Sequence, residues 1–194
     1  MAKSDTRINP QVERTHELML DAAGSLLARN GPDAVTHLRV GEEAGVARAT
    51  VYRHWPNRAD ILLDLLRRGT SLDLVPLDGD VSLLERITGI VTAFAVALNG
   101  DRGRTLSAMI GLAEWDEDVF AALERMTHLG PRRLRDLLAA GSESGELDAG
   151  SDVDMLADQL IGALYLRRLL YHDELTDSYI DRLVSATLSP HLPV

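Results

Sequence analysis

Three observations predict an all-α fold built in two parts. Apolar residues recur at three- and four-residue spacings along the chain, and no convincing run shows the period-two alternation of a half-buried strand. Glycine, proline and capping residues interrupt that pattern at helix-length intervals. The charge divides unevenly: residues 1–68 carry 10 basic and 9 acidic groups, and residues 69–194 carry 10 and 21. A chain of 194 residues sets a prior of one or two domains and can bury a core without staples.

Residues 1–11 are polar and are expected to form a flexible arm. A first helix is expected from about Val12 to Asn30, where Leu18, Ala22 and Leu26, with Met19, Ala23 and Leu27, repeat at i+4. Asn30-Gly31-Pro32 ends it, because Gly31 suits a left-handed position and Pro32 cannot continue a helix. Thr36 caps a short helix over His37–Ala44, Gly45 breaks it, and a third short helix runs from about Arg48 to Trp55. Asn57 with Asp60 reads as a capping box that opens a helix to about Leu74. The stretch from Val75 to Asp80 reads as a linker, which divides the chain into residues 12–74 and 75–194. Beyond it, helices are expected near 81–99, 103–113, 117–129, 132–144, 152–172 and 177–189. Pro131 suits a first helical position, and Ser151 with Asp154 suits another capping box.

Composition excludes several classes of function. There is no cysteine, so disulfides, thiolate catalysis and cysteine-based zinc sites are ruled out. The N-terminus lacks the apolar segment of a secretory signal, and no run of apolar residues is long enough to span a bilayer, so a cytoplasmic location is expected without a membrane partner. The net charge of −10, read whole, argues against a polyanionic partner. The division reverses that inference: residues 44–68 hold five arginines against Asp60 and Asp64.

Two short helices joined by a tight glycine-containing turn form the helix-turn-helix pattern. Val40, Ala44, Val46 and Val51 are spaced to make the small apolar junction that holds the third helix proud of the surface. That helix then offers Arg48, Ala49, Thr50, Arg53 and His54 outward, and its width fits the DNA major groove. Arg48 suits bidentate pairing with guanine, and Ala49 suits contact with a thymine methyl. Thr50, Tyr52 and His54 suit phosphate oxygens, Arg53 suits either role, and Arg58 stands at a helix start that also favours phosphate. Tyr52 and Trp55 also suit plain core positions, Trp55 above all.

Residues 15–66, THELMLDAAGSLLARNGPDAVTHLRVGEEAGVARATVYRHWPNRADILLDLL, resemble the N-terminal domain of TetR/AcrR-type transcriptional regulators. The matching parts are the first-helix LDAA…L…NG, the Thr36 cap, EEAGVARATVYRHW and the Pro56-Asn57-Arg58 start of a fourth helix. The resemblance implies base or phosphate contacts by Arg48, Ala49, Thr50 and Arg53, and phosphate contacts by Thr36, Tyr52, His54 and Arg58. Three positions depart from the pattern. Ala47 stands where a capping Ser is common, which should weaken the start of the third helix by about 1 kcal/mol. His37 stands where an apolar residue is usual, and Gly41 where Ala is usual.

Residues 75–194 resemble the same family in architecture, a helical ligand-binding and dimerisation domain. The implied partners are a double-stranded DNA operator, a second copy of the chain and a small-molecule effector. A two-fold pair reads two half-sites about 34–36 Å apart, so the DNA argument also implies a homodimer. The apolar stripes Leu156, Leu160, Leu164 and Ile180, Leu183, Val184, Leu188 are the candidate dimer interface; the alternative is that both face the chain's own core. Family analogy places a ligand pocket among Phe94, Met109, Trp115, Phe120, Met126 and Tyr165, each of which also suits plain core packing. His128 and Arg167-Arg168 are candidate polar anchors; for the arginines, surface exposure or pairing with carboxylates is the other role.

Catalytic and metal patterns fail. Gly141-Ser142-Glu143-Ser144-Gly145 has Glu where a nucleophile elbow needs Ser, and His16-Glu17 lacks the second His, the position being Leu20. Asp148, Asp152 and Asp154 lack the glycine and closing Glu of a calcium loop. The expectation is therefore a ligand-released repressor with no cofactor, no metal and no catalytic activity. The alternative is a helical small-molecule-binding protein or enzyme with a vestigial head.

Overall fold

A computed structural model describes residues 10–68, 81–127 and 130–193. Among them every regular element is helical. The helices are α1 (Pro10–Asn30), α2 (His37–Ala44), α3 (Arg48–His54), α4 (Arg58–Arg67) and α5 (Leu83–Asn99), followed by α6 (Asp101–Ala113), α7 (Glu117–Thr127), α8 (Gly130–Ser144), α9 (Val153–Tyr165) and α10 (Asp177–Leu188). The expected arm up to residue 9, the continuation of α4 to Leu74 and the linker at 75–80 lie outside the described residues.

The caps follow local chemistry. The Thr36 hydroxyl accepts from Arg39 N–H at 3.3 Å, and Gly45 closes α2 at φ 67°, a left-handed conformation that glycine adopts without a Cβ penalty. Asn57 and Asp60 form the expected reciprocal box at the start of α4, and Ser82 with Glu85 does the same for α5. Asp116 accepts from the N–H groups of Asp118 and Val119, which suits the acidic start of α7.

Several boundaries shift by one or two residues from the sequence reading, and three differences bear on the architecture. α1 begins at Pro10 rather than Val12, because proline is tolerated in a first turn where its missing N–H has no helical partner. The cap of α9 is Asp152, which accepts from Met155 N–H at 3.0 Å, while Ser151 instead meets His191 Nδ1 at 3.2 Å. The helix expected to run to residue 172 ends at Tyr165 and continues as one wide π turn over Leu166–Leu170. The apolar spacing carries on through that turn, so periodicity alone does not mark the change.

One apolar core runs through both parts of the chain. α4 joins them: Ile61, Leu62, Leu65 and Leu66 are buried because α4 packs on α1 and also on α6 and α7. α10 and α9 close the body over α5 and α8. The α5–α6 corner bends by 77°. It requires Gly103, where a Cβ would lie 1.9 Å from the Leu98 carbonyl oxygen. Asn99 ties that corner to the segment before α10, donating to and accepting from the Leu175 backbone at 3.0 and 3.1 Å. Among the described residues no single helix is long and apolar enough to cross a membrane.

Candidate nucleic-acid interface

α3 is held from beneath by two residues. Val51 is fully buried and Trp55 nearly so, at 2% exposure, so the core reading of Trp55 holds. The Trp55 Nε1–H donates to Asp64 Oδ2 at 2.8 Å, and the same oxygen meets His16 Nε2 at 3.1 Å. α3 is thereby fixed to both α4 and α1. Ala47 gives no side-chain cap to α3, as its methyl group dictates.

The opposite face of α3 is open. Arg48, Ala49, Tyr52 and Arg53 are exposed, and Thr50 and His54 are half-buried. The Arg48 guanidinium donates to the Tyr52 hydroxyl at 3.0 Å and lies 5.2 Å from the centre of its ring. Arg53 donates to the Thr50 hydroxyl at 3.1 Å. Burial, followed by the neighbouring His16 and Arg53, holds His54 below the usual histidine value. It therefore offers a neutral imidazole near pH 7. Thr36 is half-buried, and its hydroxyl, although accepting at the α2 cap, keeps a hydrogen to donate.

Arg58 does not extend outward with the others. Its guanidinium donates to the Pro32 carbonyl at 2.6 Å and lies 3.5 Å from Asp33, with the side chain 26% exposed. The α1–α2 turn passes close to the start of α4, and its carbonyl takes the charge that the sequence reading assigned to phosphate.

Tertiary packing brings further residues to this surface. Gln11, Val12 and Thr15 of α1 form a groove of about 240 Å3 with Thr50, Arg53 and His54. Arg14 and Leu18 line an adjoining hollow. Leu18, assigned by spacing to the apolar face of α1, is 52% exposed there. The signal for Gln11, Arg14 and Thr15 was faint: they lie off the core stripe, but nothing local says that α3 lies beside them.

The body separates the candidate pocket residues. Phe94 and Met109 are buried in the core, and Met126 and Tyr165 are half-buried. Burial pushes the Tyr165 phenol up, and the charge of Arg102 acts against that shift. Trp115 is 91% exposed at the α6–α7 turn, and Phe120 is 56% exposed because α7 buries Val119 and Ala122 instead. None of the six lines the clefts at the junction of head and body. The larger cleft, about 490 Å3, is walled by Gly24, Leu27 and Ala28 of α1, Leu65 and Arg68 near α4, and Val96, Arg102, Arg104 and Thr105 of α5 and α6. A second, about 290 Å3, shares Leu27 and Arg104 with it and adds Ser107, Arg168 and His172. Arg167 pairs with Asp173 at 3.4 Å and lies over the Tyr179 ring, while His128 lies outside the described residues.

The proposed dimer stripes face inward. Leu156, Leu160, Leu164, Ile180, Val184 and Leu188 are at most 2% exposed, because α9 and α10 spend these faces on α5 and α8. Only Leu183 of that set is half-exposed. The outward face of α9 instead carries Met155, Gln159, Gly162 and, just beyond it, Leu166, and that of α10 carries Arg182, Ser185 and Ala186.

Residues 19–65 match the pattern described as bacterial regulatory proteins, tetR family, and residues 76–187 match the tetracyclin repressor-like C-terminal domain. The chain is 34% identical over 180 residues to the uncharacterized HTH-type transcriptional regulator YdeS of Bacillus subtilis, covering 92% of this chain and 90% of that one. It is similar in structure to the TetR family transcription regulator SCO0332, at 28% identity and TM-score 0.70 over 93% of this chain and all of the other. It also shares the fold of the transcriptional regulator FadR from Bacillus subtilis, solved in complex with stearoyl-CoA, at 20% identity and TM-score 0.75 over 90% and 98% of the two chains.

Proposed function

The chain belongs to the TetR family of bacterial regulatory proteins, and from that premise we propose that it is a homodimeric, ligand-released repressor that reads a palindromic operator through α3. Residues 12–74 make the reading head and residues 75–194 the ligand-binding and dimerisation body. The observation that carries this reading is the two-faced third helix: Val51 and Trp55 are buried while Arg48, Ala49 and Arg53 stand free of the core. Arg48 and Ala49 read base edges, Arg53 and Thr50 serve bases or phosphates, and Thr36, Tyr52 and His54 hold phosphates. Gln11, Arg14 and Thr15 extend that backbone track along α1.

Dimerisation uses the outward faces of α9 and α10, through Met155, Gly162, Leu166, Ser185 and Ala186. Small residues there let the helices of two copies approach closely. Release follows from linkage. The 490 Å3 cleft has walls from α1 and α4 of the head and from α5 and α6 of the body. A small molecule that fits it better when the heads are wrongly spaced must weaken operator binding by the same factor. That FadR from Bacillus subtilis, a protein of this fold, is solved in complex with stearoyl-CoA supports a small-molecule effector.

Selection of bound duplexes from a random pool tests the reading. A palindromic motif with half-sites about 34–36 Å apart is expected. No enrichment at about 0.1 M salt would favour a helical binding protein or enzyme with a vestigial head.

A further inference from the structure

His37 is the position where the family pattern calls for an apolar residue, and it begins α2 rather than α3. Its ring is 9% exposed and stacks on Tyr52, with centroids 3.9 Å apart and planes 4° from parallel. His37 Nε2 meets the Trp55 carbonyl oxygen at 2.8 Å. A carbonyl only accepts, so Nε2 carries the hydrogen and donates it. One ring therefore holds the carbonyl of Trp55, the residue that closes α3, by its edge and the Tyr52 ring by its face. Tyr52 in turn accepts from Arg48, whose guanidinium lies over the same ring.

These contacts form a continuous chain from Trp55 through His37 and Tyr52 to Arg48. A hydrogen bond sets the plane of His37, stacking transmits that plane to Tyr52, and Tyr52 confines a long, rotamer-rich arginine. Confinement before binding lowers the ordering cost of placing the guanidinium against a base. An aliphatic residue would fill the same space without setting any plane.

We propose that His37 is a positioning residue for specificity: it orients Tyr52 so that Arg48 is held ready for base readout. The proposal rests on the reading that Arg48 contacts a base. His37 itself touches no DNA in it.

The test uses the full-length protein with the selected operator duplex and with a duplex changed at the base pair that Arg48→Ala ceases to discriminate. His37→Leu is expected to lower the discrimination ratio about three- to tenfold, the range of a lost aromatic contact. The slope of affinity against salt should stay unchanged, since no cationic group that neutralises a phosphate is removed. His37→Phe keeps a ring for Tyr52 but not the hydrogen bond that sets its plane, and should retain part of the discrimination, more than the Leu variant. His37→Gln keeps a donor for Trp55 without the ring and should lose it, which also covers failure of the Leu variant to fold. In the Arg48→Ala background, His37→Leu should cost nothing further. Equal losses on both duplexes, an undiminished cost in the Arg48→Ala background, or discrimination kept by Gln and lost by Phe would overturn the proposal. Unchanged discrimination at every base pair in Arg48→Ala itself would instead overturn the base-reading assignment.

Discussion

Arg58→Ala separates two roles that the sequence leaves merged. In the structure the guanidinium donates to the Pro32 carbonyl at 2.6 Å and pairs with Asp33 at 3.5 Å. Asp33 is 93% exposed on its side chain, so that pair contributes little. The carbonyl bond is the larger contribution. A hydrogen bond from a charged donor is worth about 1.5–3 kcal/mol, and the 26% exposure of Arg58 lets water replace part of it. A loss of about 1–2 kcal/mol remains. For a chain of this length each kcal/mol shifts Tm by about 2–4 °C, so thermal unfolding should fall by about 2–8 °C. Operator titrations between about 0.05 and 0.2 M salt then supply the second readout. A phosphate contact contributes about 0.9 to the slope of log affinity against log salt. With Arg58 turned inward that slope should be unchanged. A slope shallower by about 0.9 with an unaltered Tm would refute the structural role and restore the phosphate contact.

Gly103→Ala places a Cβ 1.9 Å from the Leu98 carbonyl, a backbone atom that cannot swing aside. It should cost about 3 kcal/mol or more, and a Tm within 2 °C of the parent, measured by circular dichroism, would contradict that geometry. His54 is held below its ordinary value of 6.5 by burial first, then by His16 and Arg53. The unfolded chain therefore binds more protons than the folded one around and just below pH 6.5. Stability should rise with pH through that window and be lost as pH falls through it. His54→Gln should flatten the profile of denaturant midpoint against pH there; an unchanged profile would show that His54 is not its source. Leu166→Asp puts a charge on the outward apolar face just past α9, where Leu166 is 46% exposed. It should leave the fold intact, halve the sedimenting mass and weaken operator binding at least tenfold; a mass unchanged from the parent would remove this face from the dimer interface.

Much of the head was legible because its signals are short-range. Thr36, Gly45 and the Asn57–Asp60 box are spaced by the geometry of a single turn, and each is where the structure uses it. The outward set on α3 follows from Val51 and Trp55 alone, since the helical repeat assigns every other position once the buried ones are known. The body was less legible. The stripes on α9 and α10 are real, but periodicity reports only that a face is buried, not whether the chain or a second copy covers it. Phe120 and Trp115 show the reverse: large apolar side chains suggested an interior, but α7 turns Val119 and Ala122 inward in place of Phe120, and Trp115 falls on the open α6–α7 turn.

By itself the sequence determined the helical class, the two-part charge division, the caps and the face of α3 that is free to read DNA. All of these depend on residues within a turn or two of each other. Only the tertiary structure decided that Arg58 is spent on the Pro32 carbonyl, that His37 stacks beneath Tyr52, that α1 flanks α3, and that the clefts open between head and body. Each of these joins residues far apart in the chain or on different helices, and a pairing set by how helices dock leaves no periodic trace in the sequence.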